Sequence, residues 1–285
     1  MRILLEKFSG RGSSKEKKVR KYLNVFKISF AQEFAYRLNF IMWRVRNVLQ
    51  ILVLFFLWTT VFSDQGRVIF GYDKAKILTY VFGVLIVRAL VFSARAVDVA
   101  GEISKGDLTI LLLKPINYFR YWLTRDFSSK VLNLGFAVVE IAILFPLLKP
   151  AIFLQTNGYS LLGFAISLTI AVLLFFTILM ATNFVAFWAP QVGWGAQFFV
   201  IVVMSDFLAG SLFPLDILPA VVQKVLLFTP FPYLIFFPIQ VYLGKLTGMA
   251  MWSGIVISLF WLAVLSILTN KIWRRGLLVY RAEGR

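Results

Sequence analysis

Ser160-Leu-Leu-Gly-Phe-Ala-Ile-Ser-Leu-Thr-Ile-Ala-Val-Leu-Leu-Phe-Phe-Thr-Ile-Leu-Met-Ala-Thr-Asn-Phe-Val-Ala-Phe-Trp188 contains no charged residue. A run this long exceeds the roughly 20 residues that a helix needs to cross about 30 Å of hydrocarbon. Comparable runs lie on both sides of it. The approximate spans are 41–62, 77–97, 130–149, 160–188, 195–213 and 248–270. The chain of 285 residues is 60% hydrophobic and only 15% charged, against about a quarter charged in soluble domains. Once six spans are set aside, no stretch is left for a soluble catalytic domain. The expected fold class is an all-α polytopic membrane protein, a single transmembrane domain over 20–285.

The formal net charge is +17. Most of it lies beside the spans, where anionic lipid headgroups attract it, so membrane lipid and not nucleic acid is the expected partner. Its distribution orients the chain. Twelve Lys or Arg lie in the N-terminal segment through Arg46, six in 95–130 and five in 271–285. The alternate connections hold fewer: three in 63–76, one in 149–159 and two in 214–247. The positive-inside rule then places both termini in the cytoplasm and the sparse connections outside. The uncharged 189–194 connection contributes nothing to this assignment. Residues 1–22 offer no apolar core of a cleavable signal, so the first span is expected to serve as the targeting signal.

Residues 1–19 form a basic tail, with Arg11, Lys15, Lys17 and Lys18 among glycine and serine. Within 20–38, Tyr22, Phe26, Phe30, Phe34 and Leu38 recur every four residues, while Lys21, Lys27 and Gln32 fall off that stripe. This spacing gives an amphipathic helix, expected to lie in the membrane interface; the alternative is an extension of the first span. The apolar segment 214–245 is broken by Pro214, Pro219, Pro230, Pro232 and Pro238. It fits short re-entrant helices better than a simple span, because non-helical backbone at membrane depth must be buried in protein.

Catalysis finds few parts. Cysteine and histidine are absent, which removes disulfides, thiol nucleophiles, histidine bases and conventional zinc sites; no catalytic or metal site is expected. Gly101-Glu-Ile-Ser-Lys-Gly106 has the outer glycine spacing of a phosphate loop, but continues with Asp107-Leu108 where that motif requires Lys and Ser or Thr. Nucleotide binding on this chain is therefore rejected. Arg88, Glu140 and Asp206 fall inside predicted spans, where charge is costly and usually faces a partner or a wet cavity. Arg88 and Glu140 are both expected near mid-membrane, as an ion pair that either fixes packing or binds substrate. Asp206 is expected near the outer part of the fifth span.

The most informative connection is 98–129, which opens Asp98-Val-Ala-Gly-Glu-Ile-Ser-Lys-Gly-Asp-Leu-Thr-Ile-Leu-Leu-Leu-Lys-Pro-Ile-Asn117. Asp98, Glu102 and Asp107 stand out on a basic face, and Leu108, Leu111 and Leu112 form an apolar patch ending at Pro115. Such a short amphipathic helix suits docking on a soluble partner, or contact with lipid alone.

Several stretches resemble the membrane subunit of bacterial ABC exporters of the type-2 permease family, the branch with paired permeases and a separate ATPase. They are Phe34-Ala-Tyr-Arg-Leu-Asn39 and the 98–117 segment, above all Glu102, Gly106, Leu108, Leu113, Lys114, Pro115 and Asn117. Leu208-Ala-Gly210-Ser-Leu-Phe-Pro214-Leu-Asp-Ile-Leu-Pro219, Pro230-Phe-Pro232-Tyr233 and Trp273-Arg-Arg-Gly276 with Tyr280 and Gly284 complete the set. The resemblance implies an interfacial N-terminal helix, six spans, and re-entrant helices between the last two. It also implies a cytoplasmic ATPase that carries ATP and Mg, coupling through 98–117, a second permease, homologous or identical, and a bacterial cytoplasmic membrane. It leaves the substrate open. The rival functions are an ion-coupled carrier relaying through Arg88, Glu140 and Asp206, a lipid-modifying enzyme, and a non-transporting assembly subunit.

Overall fold

The computed structural model describes residues 14–33, 37–63 and 68–280. Eleven α-helices run through them: α1 Ser14–Glu33, α2 Arg37–Val61, α3 Lys74–Val91, α4 Val99–Ser104, α5 Leu108–Leu112, α6 Tyr118–Leu148, α7 Gly158–Asn183, α8 Gly193–Phe198, α9 Ala220–Leu227, α10 Phe236–Tyr242 and α11 Gly248–Val279. Helix α8 continues as a π-helix over Phe199–Leu208. Among the described residues the only β pairing is one isolated bridge, Ile69 to Tyr72. The fold is all-α, and the chain is a multi-pass membrane protein.

Five helical stretches are long and apolar enough to cross a membrane: Arg44–Val61, Tyr118–Leu148, Gly158–Phe187, Pro190–Leu208 and Gly248–Val279. A sixth arises if α3 and the bent continuation Arg95–Ser104 count as one, with 48° between them. Asp73 caps the start of α3 by accepting from the Lys76 amide at 2.7 Å, satisfying an otherwise orphaned donor. Asn117 caps α6 in the same way through the Arg120 amide at 3.0 Å.

Helix α7 occupies the middle. Ala171, Leu174, Phe175, Leu179 and Met180 are sealed from solvent and lipid, and the helix packs on α3, α10 and α11. Small residues set the closest approaches, as is usual between membrane helices. At Gly254 of α11 a Cβ would fall 2.2 Å from the Phe237 ring of α10, so only glycine fits there.

The two ends of the bundle differ. At one, the basic end, α1 lies along α6, with Phe26 6.2 Å from Phe127, and α4, α5 and the end of α11 with Lys271, Arg274 and Arg275 gather beside it. At the other end, Thr79 of α3 accepts from the Phe153 amide and Gln155 donates to Tyr242 O.

Several boundaries differ from expectation. Helix α6 begins at Tyr118 and not near 130, because the Asn117 cap starts it early. The predicted connection 98–129 is thus largely helical. Helix α3 ends at Val91, short of 97. The fifth span stops at Leu208, level with Tyr80, whose hydroxyl donates to Gly210 O at 2.6 Å. Tyr80 is six residues, about 9 Å, inside the start of α3 at 1.5 Å per residue. The proline-broken stretch fills the remaining depth as short helices. Gly210 turns the chain there with φ +81°, and a Cβ would meet the Tyr80 hydroxyl at 2.9 Å. Pro214, Pro219 and Pro230 each stand at the cap of a short helix, and Pro232 is buried within one. Of the N-terminal stripe, Phe34 and the Leu38 side chain lie outside the described residues, as do most of the tail 1–19 and Gly284.

Candidate functional site

A chamber of about 1300 Å³ opens between α2, α3, α6 and the π-helix, and reaches the basic end beside α1 and α4. Its charged walls come from helices whose sequences otherwise read as apolar spans. The carboxylate of Asp206, on the π-helix, lies 2.5 Å from Arg88 of α3 and 3.4 Å from Arg46 of α2. Deeper along α6, Glu140 lies 3.3 Å from Arg44, which also hydrogen-bonds to the Asn133 side chain. The guanidinium of Arg44 sits 5.6 Å from the centre of the Phe136 ring.

This corrects the expected pairing. Arg88 and Glu140 do line one chamber, but each takes a different partner. Arg88 lies three residues before the end of α3, which brings it level with Asp206. Asp206 stands two residues before the end of the fifth span at Leu208, toward the far end of that span as expected, but it is buried there and faces Arg88. Arg44 and Arg46, counted in the sequence with the N-terminal basic cluster, are the partners that reasoning missed. Both fall inside the predicted span 41–62, and that was the available signal.

A second buried pair fixes the geometry next to the chamber. Asp126 and Lys130, one turn apart on α6, lie 3.1 Å from each other. Asp126 accepts from the amides of Arg95 and Ala96 at 2.7 and 3.4 Å. Lys130 donates to Ser93 O and Val91 O at 2.6 and 3.3 Å. One pair thus holds both sides of the 48° bend after α3: the orphaned carbonyls that end the helix and the amides that begin the next turn. Buried charges persist where hydrogen bonds satisfy them in this way.

Beyond the bend, α4 and α5 form a small knob at the basic end. Asn183 donates to Ala96 O at 3.0 Å and Gln197 to Val97 O at 2.8 Å. The Tyr280 hydroxyl donates to Gly106 O at 2.8 Å, and Lys21 of α1 donates to Pro115 O. Gly106 has φ +81°, a left-handed turn that lets α5 fold back. Asp98 pairs with Arg95 at 3.4 Å and Arg125 at 3.8 Å. Glu102 accepts from the Tyr118 hydroxyl at 3.1 Å. Burial pushes the Glu102 carboxyl up to about 7, against the Tyr118 hydrogen bond and the nearby Arg125 charge, which pull it down.

The expected apolar patch divides in two. Leu108 and Leu111, three apart on one face of α5, are buried in the core at 0% and 9% exposure. Leu112 points outward, and so do Ile110 and Leu113, the last 83% exposed. Lys105, Asp107, Lys114 and Pro115, close to these three in the chain, are exposed as well. The exposed apolar face of the knob is therefore Ile110, Leu112 and Leu113, with Leu108 and Leu111 buried beneath it.

At the opposite end, Asp216 ties three segments together. It accepts from the Tyr72 hydroxyl at 3.0 Å, from Lys245 at 2.5 Å and from Gln240 at 3.3 Å. The Lys245 ammonium also sits 3.4 Å from the centre of the Tyr72 ring. This network clamps the proline-broken stretch to the start of α3.

The described residues thus form a multi-pass helical bundle with a charged chamber that reaches its basic end. Residues 48–284 match the family described as ABC-2 family transporter protein. The match covers most of the chain, and the chain belongs to that family: it is an ABC-2 type permease. Neither the curated proteins nor the solved structures gave a match.

Proposed function

We propose that this chain is one permease half of an ATP-driven exporter, coupled to a separate cytoplasmic ATPase and completed by a second permease, homologous or identical. In this reading the basic end faces the cytoplasm, as the lysine and arginine asymmetry suggests. ATP and Mg bind the partner chain.

The observation that carries the proposal is the outward face of the knob. Ile110, Leu112 and Leu113 are exposed apolar residues outside any span, and Lys105, Asp107 and Lys114, close to them in the chain, are exposed as well. An exposed apolar patch with a polar rim marks an interaction surface. Its rigid link to the chamber favours a mechanical role. A push on α4 and α5 passes through the joint at Asp126 and Lys130 into α3 and α6, and so to Arg88 and Glu140. ATP drives the cycle only by binding one conformation better than the other.

The ion-coupled carrier is the weaker reading, because Glu140 and Asp206 are each already engaged by an arginine. The test is co-purification with the ATPase. Replacing Leu112 and Leu113 by Asp should abolish association and ATP-dependent transport while leaving the elution profile of the permease unchanged. Retention of the ATPase by that variant would sink the docking assignment.

A further inference from the structure

We propose that the end of α11 is a binding site for an anionic phospholipid of the leaflet at the basic end. Lys271, Arg274 and Arg275 hold the headgroup phosphate, and the apolar stripe before them lies along an acyl chain.

The first observation is register. Phe260, Val264, Ile267, Lys271, Arg274 and Leu278 follow one another at intervals of four and three, so they share one face of α11. Arg275, four residues after Lys271, falls on the same face. All seven are exposed, and the apolar ones belong to a stretch long and apolar enough to cross a membrane. The cations therefore continue a surface that meets lipid tails.

The second observation is height. Trp252, near the start of α11, is exposed and donates to the Tyr159 hydroxyl of α7. Exposed tryptophan and tyrosine gather at the membrane–water interface. Lys271 follows Trp252 by nineteen residues, about 28 Å of helix at 1.5 Å per residue, close to the roughly 30 Å of a hydrocarbon layer. With Trp252 at one interface, Lys271 stands at the other. Arg274 and Arg275 lie about 5 Å beyond it, at the level of the phosphates.

The third observation is that these cations are unclaimed. Arg44, Arg88, Arg95 and Arg125 each lie within 4 Å of a carboxylate. Lys271, Arg274 and Arg275 have no ion-pair or hydrogen-bond partner among the described residues. Nor do they lie in the last turn of α11, where the terminal carbonyls would engage them. A guanidinium presents a planar fork of donors that matches a phosphate, and anionic lipids attract basic residues beside a span.

The opposite face of the same turns is fixed. Trp273 stacks on Tyr118 with ring centres 4.3 Å apart. At Gly276 a Cβ would fall 2.2 Å from the Phe187 ring, and Tyr280 reaches the knob at Gly106 O. The cations thus stand on a stretch already ordered by the protein, which lowers the cost of binding.

The test needs neither ATPase nor nucleotide. The whole chain is placed in phosphatidylcholine nanodiscs doped with phosphatidylglycerol that carries a diazirine near the start of one acyl chain. Labelled peptides are mapped by mass spectrometry, and the probe fraction giving half-maximal labelling is read. Label should fall on the peptide bearing Val264, Ile267 and Leu268, at a far lower fraction than for the matching phosphatidylcholine probe. The double variant Arg274→Gln, Arg275→Gln should raise the phosphatidylglycerol fraction about 25-fold, fivefold for each cation lost. Arg274→Lys with Arg275→Lys should stay near the wild type. Unchanged phosphatidylcholine labelling in both variants controls for folding. Unlabelled phosphatidylglycerol should compete, and glycerol phosphate in solution should not. Equal half-saturation by the two probes would overturn the choice of an anionic lipid. Equal competition by glycerol phosphate would make this a site for a soluble anion and overturn the lipid. Unchanged phosphatidylglycerol labelling in the glutamine variant would overturn the site, and loss of a co-purifying ATPase from that same variant would assign the cations to a protein partner.

Discussion

Replacing Asp206 by leucine removes a carboxylate that lies between Arg88 and Arg46. The two arginines then differ in what they can do. Arg46 is 43% exposed and can rehydrate toward the chamber, whereas Arg88 is only 19% exposed. Breaking a buried ion pair by removing one partner costs about 3–5 kcal/mol in soluble proteins. Inside a membrane the unfolded state also finds partners, which reduces such values, so the lower end is expected here. A loss of about 3 kcal/mol corresponds to roughly a hundredfold fall in the ratio of folded to unfolded protein. Arg88→Leu should cost less, because Asp206 keeps Arg46. The double variant Arg88→Leu, Asp206→Leu should recover most of the loss, since apolar replacements of similar volume are often neutral. The assay is size exclusion after graded heating, reading the temperature at which half the monodisperse peak is lost. Melting of Asp206→Leu together with the wild type, or a double variant as poor as the summed singles, would refute the pairing.

Other predictions concern the knob, the joint and the topology. The Glu102 carboxyl, raised from an unfolded value of 4.5 to about 7, keeps its proton longer in the folded protein. Its contribution is therefore full below about pH 4.5 and is lost as pH rises through 7; Glu102→Gln should flatten that part of the stability profile, read by melting at pH 5 and pH 8. Asp126→Ala strands the buried Lys130 and frees two amides at the bend, so the expected result is a lower melting temperature together with faster proteolysis between residues 91 and 99. Single cysteines at Ser63 and Asn157 should react with an impermeant thiol reagent in intact cells and one at Ser14 should not; the reverse pattern would invert the topology.

Much of the architecture is legible in the sequence because a membrane imposes a length and a polarity on each crossing. Run length alone identifies α7 and α11, and the prolines at 214, 219, 230 and 232 mark the broken cap. Boundaries are less legible. The Asn117 cap starts α6 well before its apolar run, so apolarity finds the membrane and not the helix. Pairings are the least legible, since depth along a helix depends on where the helix begins. Arg88 meets Asp206 and not Glu140 because α3 ends at Val91 and the fifth span is cut short at Leu208. The Leu108 and Leu111 spacing of three correctly marks one face of α5. Whether that face turns inward or outward was decided by the fold around it. The clamp at Asp216 joins residues far apart in the chain, and no local pattern announces it.

The central claim is that an ATPase docks on the α5 face of the knob. The most direct measurement places a photocrosslinking amino acid at position 113 in the full chain, with position 154 at the opposite end as control; both native leucines are well exposed, at 83% and 73%. Crosslinks formed in intact cells are identified by mass spectrometry. The account predicts that position 113 captures a subunit carrying a nucleotide-binding phosphate loop and that position 154 does not. Capture of lipid alone at 113, or the same ATPase at both positions, would contradict it.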